Sequence, residues 1–262
     1  MRKDRLPVVA FRVVFCVVLA AASRGCGSTA TQVAPTAIEP KTPVVASRWE
    51  SVGTSVAGRP IEAWFGGQGE RRALFLGAIH GDERASRAPL ATLIEHLETR
   101  PEVIDGWRLV VIPVANPDGF EKNTRENLNG INLNRNFPTD NFRPSRRHGK
   151  TSASEPEVQA LIKLIDRHTP EVIVSLHGPL ACVDYDGPAS GLAGRMSQAC
   201  GLRVKRLGAM PGSLGSYAGL ERGIPTITLE LGREGDRDTT HPDRILPALL
   251  AVFDEEQPSA AK

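Results

Sequence analysis

The stretch ALFLGAIHGDERASRAPLATLIEHLET, residues 73–99, joins two patterns of different period. Ala73 to Ile79 is a short, nearly unbroken apolar run, as expected of a strand buried on both faces. Ala85 to Thr99 reads as a helix, and the polar tetrapeptide His80-Gly-Asp-Glu83 lies between the two. The same alternation recurs outward along the chain. Leu109–Val114, Val172–Leu176 and Thr226–Leu231 read as further buried strands, and Glu155–His168, Leu192–Cys200 and Asp243–Glu255 as helices. Ser154-Glu-Pro-Glu157 predicts a capping box with proline in the first turn, ahead of an apolar stripe of Val158, Leu161, Ile162 and Ile165. Strands alternating with helices predict an α/β protein: a single-domain α/β/α sandwich around a mixed, mostly parallel sheet, over residues 48–257.

The chain has 262 residues, 40% hydrophobic and 24% charged, which suits a core that needs no disulfide stapling and excludes a largely disordered or fibrous protein. Its net charge of +2 is unevenly placed. Residues 1–25 hold five basic residues and one acid, leaving 27 basic and 29 acidic residues in the remainder. The body therefore has no global electrostatic reason to bind nucleic acid. Val13 to Ala22 is an uninterrupted apolar run of ten residues, too short for a hydrocarbon core of ~30 Å. With its basic flank and the Ala20-Ala21-Ala22 end it predicts a signal peptide within residues 1–26, hence export to the periplasm or cell envelope. Gly25-Cys26 resembles a lipoprotein cleavage box, so a lipid tether on Cys26 and simple cleavage after Ala22 both stay open. Residues 27–47, rich in Ala, Thr and Pro, read as a tether. Cys182 and Cys200 are read either as a pair or as two small buried hydrophobes.

Chemistry concentrates at the predicted strand ends. His80 and Glu83 follow the first strand and His177 follows Val172–Leu176, the end of an open α/β sheet where ligands bind. Two histidines and a glutamate are the ligand set of a catalytic zinc site with a fourth position for water. Glu230 stands between Leu229 and Leu231 in a third strand end. A carboxylate there is costly unless used, which makes it a candidate general base. Residues 123–138 carry six Asn and two Arg within sixteen positions, too polar for a core element. They read as an irregular turn or as a substrate clamp whose Arg forks match a carboxylate and a developing oxyanion. His96, His168 and His241 show no metal spacing, and the basic run Arg143–Lys150 reads as a solvated loop.

The motifs H-G-D-E (80–83), N-P-D-G (116–119), N-G-I-N-L-N-R-N-F-P (129–138), S-E-P-E (154–157), S-L-H-G-P (175–179) and T-L-E-L (228–231) occur together in this order. As a set the chain resembles zinc metallocarboxypeptidases of the carboxypeptidase A type, over roughly Trp49 to Phe253. Leu180-Ala-Cys182 and Gly212-Ser-Leu-Gly-Ser-Tyr217 are similar to the short murein peptide amidases. The resemblance implies one zinc ion per chain on His80, Glu83 and His177, with Glu230 as general base and acid. It implies that Arg125 polarises the scissile carbonyl and that Asn134 and Arg135 grip a substrate carboxylate. Tyr217, only thirteen residues before Glu230, is placed with the substrate-binding residues, packing being its other reading. The implied reaction is hydrolysis of a peptide amide, γ-D-Glu–meso-diaminopimelate in a muropeptide. The alternatives are a conventional carboxypeptidase and a deacylase of the aspartoacylase/succinylglutamate type. A catalytically dead wall-binding protein would not need Glu230, Arg125 and all three ligands.

Overall fold

A computed structural model describes residues 47–254. The predicted signal segment with Cys26, the tether up to residue 46 and residues 255–257 of the predicted domain lie outside the described residues. The strands are β1 Arg48–Thr54, β2 Pro60–Gly66, β3 Arg71–Leu76, β4 Trp107–Ile112, β5 Val172–His177, β6 Cys182–Asp186, β7 Arg203–Val204 and β8 Thr226–Glu230. The helices are α1 Arg87–Thr99, α2 Pro117–Lys122, α3 Pro156–His168, α4 Ser190–Cys200, α5 Arg237–Thr240 and α6 Pro242–Leu250, with a π-helical turn over Gly215–Leu220.

The strands form one mixed sheet in the order β1-β2-β4-β3-β5-β8-β6-β7. The four strands expected from apolar runs are its parallel centre, β4-β3-β5-β8. Strands β1 and β2 extend one edge in antiparallel pairing, and β6 runs antiparallel to β8 on the other side. The central strands read as continuous hydrophobic runs because layers cover both faces. Phe75, Leu109, Val111, Val174 and Leu229 pack with α1, α4 and α6, whereas Leu74, Leu76, Val110, Ile112 and Ile173 pack with α3 and the π-helical turn. Each fully buried Val, Leu or Ile contributes about 1.5–3 kcal/mol by leaving water.

The second face changes character across the sheet. Over β2, β4 and β3 it is apolar, but over β5, β8 and β6 strand alternation brings Ser175, His177, Thr228, Glu230, Asp184 and Asp186 to it. Parallel β3, β5 and β8 are neighbours, so their carboxyl ends lie along one edge. That edge presents His177 and Glu230 as registered partners.

The capping box does not form. Glu155 is the N-cap of α3 and makes no side-chain cap, while Pro156 occupies the first turn. Glu157 instead accepts from the Val56 amide and from Asn127 Nδ2, and Ser154 donates to Glu155 Oε1. The stripe holds, with Val158, Leu161 and Ile165 buried and Leu164 added to it. Cys182 and Cys200 are both free and buried.

Candidate active site

His80 sits four residues beyond β3 on a sharp turn. Ala78 takes φ 47°, and the turn is fastened by Ser86 Oγ, which accepts from the Ala78 amide at 2.9 Å and donates to the Glu83 carbonyl at 2.6 Å. Gly81 lies against the backbone of Gly119 in the N-P-D-G segment, where a Cβ would stand 2.0 Å from the Gly119 carbonyl carbon. Asn116 caps α2 by accepting from the Gly119 amide at 2.9 Å, which fixes that segment.

Three side chains converge on the Glu83 carboxylate. His80 Nδ1 and His177 Nδ1 each lie 2.8 Å from one of its oxygens, and Arg125 Nη1 donates to Oε1 at 2.8 Å. The two imidazole rings are 4.9 Å apart between centroids. One ligand atom from each of His80, Glu83 and His177 fits within a span of 4.8 Å. Two imidazole nitrogens and a carboxylate form the donor set that suits zinc. The second ring nitrogen of His80 strengthens the fit. Nε2 lies 3.1 Å from Asn132 Oδ1, and an amide oxygen only accepts, so Nε2 carries the hydrogen. Burial lowers the pKa of His80, with the hydrogen bond to Glu83 opposing it. A hydrogen bond from the far ring nitrogen is what orients a metal-ligating imidazole.

Electrostatics separates the carboxylates. Burial works to raise the pKa of Glu83, but His177 and the hydrogen bonds from both histidines hold it well below the usual carboxylate range. For His177 burial pulls downward, and the charge and hydrogen bond of Glu83 more than offset it, raising its pKa. Glu230, at the end of β8, is only 8% exposed and its Oε2 has no partner. Burial raises its pKa, against the opposing influence of His177.

These groups line one cavity of about 410 Å³ together with Arg125, Asn134, Arg135, Ser213 and Gly215. Asn134 is anchored through Oδ1, which accepts from the Leu214 amide at 2.8 Å. Arg135 donates to the Asn134 carbonyl, and its pKa is lowered by burial and by Arg125. The Asn-rich stretch is thus a braced loop: Asn127 and Asn129 donate to Glu155, and Asn136 Nδ2 donates to the carbonyls of His148 and Thr151.

Of the residues singled out in the sequence, His80, Glu83, Arg125, Asn134, Arg135, His177 and Glu230 meet in this cavity. Tyr217 does not. It is fully buried against Phe137, ring centroids 5.3 Å apart, beneath the Arg222 guanidinium at 3.4 Å. The π-helical turn points Tyr217 into the core and leaves Ser213 and Gly215 facing the cavity, so Tyr217 is a packing residue. The basic run lies outside the cavity, with Arg147 paired to Glu126. His168 is buried, its Nε2 3.1 Å from the Ala73 carbonyl. The sequence reading passed over Asn132 behind His80, and Asp184 and Asp186 on the cavity floor. The signal for the aspartates was the alternation in Cys-Val-Asp-Tyr-Asp, residues 182–186. Burial pushes Asp186 up to about 6, helped by Asp184 and opposed by Arg206.

Residues 41–186, a stretch that contains all the cavity residues named in the sequence except Glu230, match the zinc carboxypeptidase family. Murein peptide amidase A of Vibrio campbellii is 37% identical over 201 residues, 69% of this chain and 78% of that protein. Murein peptide amidase A of Escherichia coli K12 is 35% identical over 188 residues, 64% of this chain and 75% of that protein. The crystal structure of murein-tripeptide amidase from Escherichia coli O157 superposes with a TM-score of 0.65 at 29% identity, covering 78% of this chain and 91% of that one. Together with the fold and the His-Glu-His set, these matches establish that the chain belongs to the zinc carboxypeptidase family and is a zinc metallopeptidase.

Proposed function

We propose that this protein is an amidase that hydrolyses the γ-D-glutamyl–meso-diaminopimelate bond of murein peptides, with one zinc ion per chain and Glu230 as general base. The observation that carries the mechanism is the registered pairing of His177 and Glu230, which sets a buried, unpartnered carboxylate oxygen beside the His-Glu-His set. The likeness to murein peptide amidases over most of the chain supports the choice of substrate. His80, Glu83 and His177 hold the zinc, which when bound supplies Lewis-acid polarisation of the scissile carbonyl and a lowered pKa for water.

The chain's own groups do the rest. Glu230 Oε2 takes a proton from the attacking water and returns it to the leaving amine nitrogen. Its burial favours the protonated state and so increases its basicity. Arg125 steadies the developing oxyanion with a charge-assisted hydrogen bond. Asn134 and Arg135, held by the braced loop, orient the terminal carboxylate of the substrate. The basic, then apolar, N-terminal sequence supports export to the cell envelope, with Cys26 as the point of lipid attachment. The mass of the mature N-terminus tests that part: an uncleaved N-terminus overturns export, and cleavage after Ala22 without lipid overturns the attachment at Cys26.

The function is tested by incubating the zinc-loaded protein with L-Ala-γ-D-Glu-meso-diaminopimelate beside α-linked peptides and N-acyl amino acids, with products read by mass spectrometry. Free diaminopimelate from the first substrate alone is the expected result. Release of C-terminal residues from the α-linked peptides instead makes the protein a conventional carboxypeptidase, and cleavage of the acyl amino acids alone makes it a deacylase.

A further inference from the structure

Exposed apolar side chains gather on one part of the surface. Seven large ones stand exposed among the described residues, and four of them, Leu180, Val204, Leu207 and Met210, belong together. Leu180, Leu207 and Met210 line the catalytic cavity, and Leu180 also lines a neighbouring hollow with Val204, so the four are contiguous. Their exposures run from 37% to 50%. Single exposed apolar residues need no explanation, but a cluster of them marks a surface that meets something.

The same surface is cationic. Residues 187–220 contain no Asp or Glu and carry Arg195, Arg203, Lys205 and Arg206, although the chain beyond residue 25 has 27 basic residues against 29 acidic. Strand β7 ends the sheet, paired with β6 alone, and every residue from Arg203 to Leu207 is exposed. Among the described residues none of the three cations on this edge is in an ion pair. Asp184 and Asp186 lie near Arg206 but are buried, and Arg206 stacks on the Tyr185 ring at 4.3 Å. Charges on an edge strand guard against pairing with another chain. That accounts for the cations and not for the exposed Val204 and Leu207 set among them.

The order Arg-Val-Lys-Arg-Leu-Gly-Ala-Met, residues 203–210, interleaves the two kinds of side chain. An anionic polymer would satisfy the cations and leave the apolar groups in water. A bilayer with anionic headgroups satisfies both: its phosphates meet the Arg and Lys heads, while Val, Leu and Met enter the headgroup–acyl boundary beside their stems. We infer that the edge formed by Leu180 and residues 203–210 is a docking face for an anionic bilayer, which sets one wall of the catalytic cavity at the membrane surface. The face belongs to the folded domain. It acts with or without lipid on Cys26 and rests on no choice of substrate. Each Lys or Arg near an anionic surface contributes about fivefold to partitioning, so three favour anionic over neutral lipid on the order of 100-fold.

The test is a lysine footprint on the full chain, which carries its own comparators. Lys205 lies on the proposed face, whereas Lys122, Lys150 and Lys163 are exposed on other elements. Acetylation with and without vesicles is read residue by residue by mass spectrometry. With vesicles of equal phosphatidylglycerol and phosphatidylcholine, Lys205 is expected to be shielded several-fold while Lys122 and Lys163 react as before. With phosphatidylcholine alone Lys205 stays open. Arg203→Glu combined with Arg206→Glu is expected to raise the lipid needed for half-shielding by about 25-fold or more, two factors of about five. Val204→Ser, which removes one inserted side chain, is expected to raise it roughly tenfold. Equal reactivity of all four lysines on the anionic vesicles overturns docking by this face, even where the N-terminus holds the chain to the bilayer. Shielding of Lys150 in place of Lys205 moves the contact to the basic loop and overturns it as well. Equal shielding by neutral vesicles, or by polyphosphate without lipid, rejects an anionic bilayer as the occupant.

Discussion

Glu230→Gln separates proton transfer from everything else the site does. The substitution keeps the shape of the side chain and removes only its ability to take a proton. Because Glu230 Oε2 has no hydrogen-bond partner, no existing bond on that oxygen is lost, and His177 keeps its 2.8 Å contact with Glu83. A positioned general base contributes roughly 10²- to 10⁴-fold, about 2.7–5.4 kcal/mol of barrier, and kcat is expected to fall by that factor with zinc content unchanged. Stability should move the other way. The folded pKa of Glu230 is raised above its unfolded value by burial, so the ionised carboxylate costs folding free energy at neutral pH. That cost disappears as pH falls below the ordinary carboxylate value. The chelated variant is therefore expected to melt at or above wild type at pH 7, with the gap closing toward acid. Released diaminopimelate measured by chromatography, zinc measured by mass spectrometry and melting by fluorimetry give the three readings. Full turnover in Glu230→Gln would refute the assignment of the base. Loss of zinc together with turnover would show that Glu230 acts on the metal site instead.

Substitutions at three further positions probe the scaffold. Asn132→Leu removes the acceptor behind His80 Nε2 and is expected to weaken zinc binding about 10- to 100-fold in a chelator competition, while Asn132→Asp retains it; equal affinity in all three proteins removes Asn132 from that role. Gly81→Ala pushes a methyl group to 2.0 Å from the Gly119 carbonyl carbon, so the H-G-D-E and N-P-D-G segments must part. The expected cost of this overpacking is about 1–3 kcal/mol, read in a denaturant titration, and an unchanged midpoint contradicts the close approach. Glu83 has a folded pKa held below its ordinary value of 4.5 by His177 and by the histidine hydrogen bonds, although burial opposes them. Its contribution is present above that ordinary value and lost as pH falls below it. Glu83→Gln should therefore destabilise the chelated protein at pH 7 and progressively less below about pH 4, and a gap that stays constant with pH rejects the ion-pair account.

The central strands were legible because two covering layers force apolar residues at every position, as in Val172-Ile-Val and Leu109-Val-Val-Ile. Strands β1 and β2 were not. Most of β1 is exposed, and its sequence Arg-Trp-Glu-Ser-Val-Gly-Thr carries little apolar signal. Strand β6 escaped for the opposite reason: its inward side faces a cavity rather than a core, so aspartates stand where valines would normally reveal a strand. Tyr217 shows the limit of spacing as a guide. Distance from Glu230 along the chain does not say which side of a π-helical turn a residue takes, and Phe137 with Arg222 claimed the ring. The capping box failed similarly, because the Val56 amide and the Asn127 side chain compete for Glu157.

What placed Glu230 is the parity of its strand. Thr226-Ile-Thr-Leu-Glu-Leu231 alternates, with Ile227, Leu229 and Leu231 in the layer under α4 and α6 and the intervening residues on the cavity side. Slipping β8 by one residue would turn Glu230 into that apolar layer and Leu229 into the cavity. The cost of burying a carboxylate among Ile and Leu side chains opposes that slip, and so does the loss of three apolar contacts. Parity also explains why the floor is polar as a block. With His177, Glu230 and Cys182 registered in one row and Ser175, Thr228 and Asp184 in the next, a single hydrophobic pattern fixes two rows of side chains at once. The apolar residues of β5, β6 and β8 thus specify where the chemistry stands, although none of them touches it.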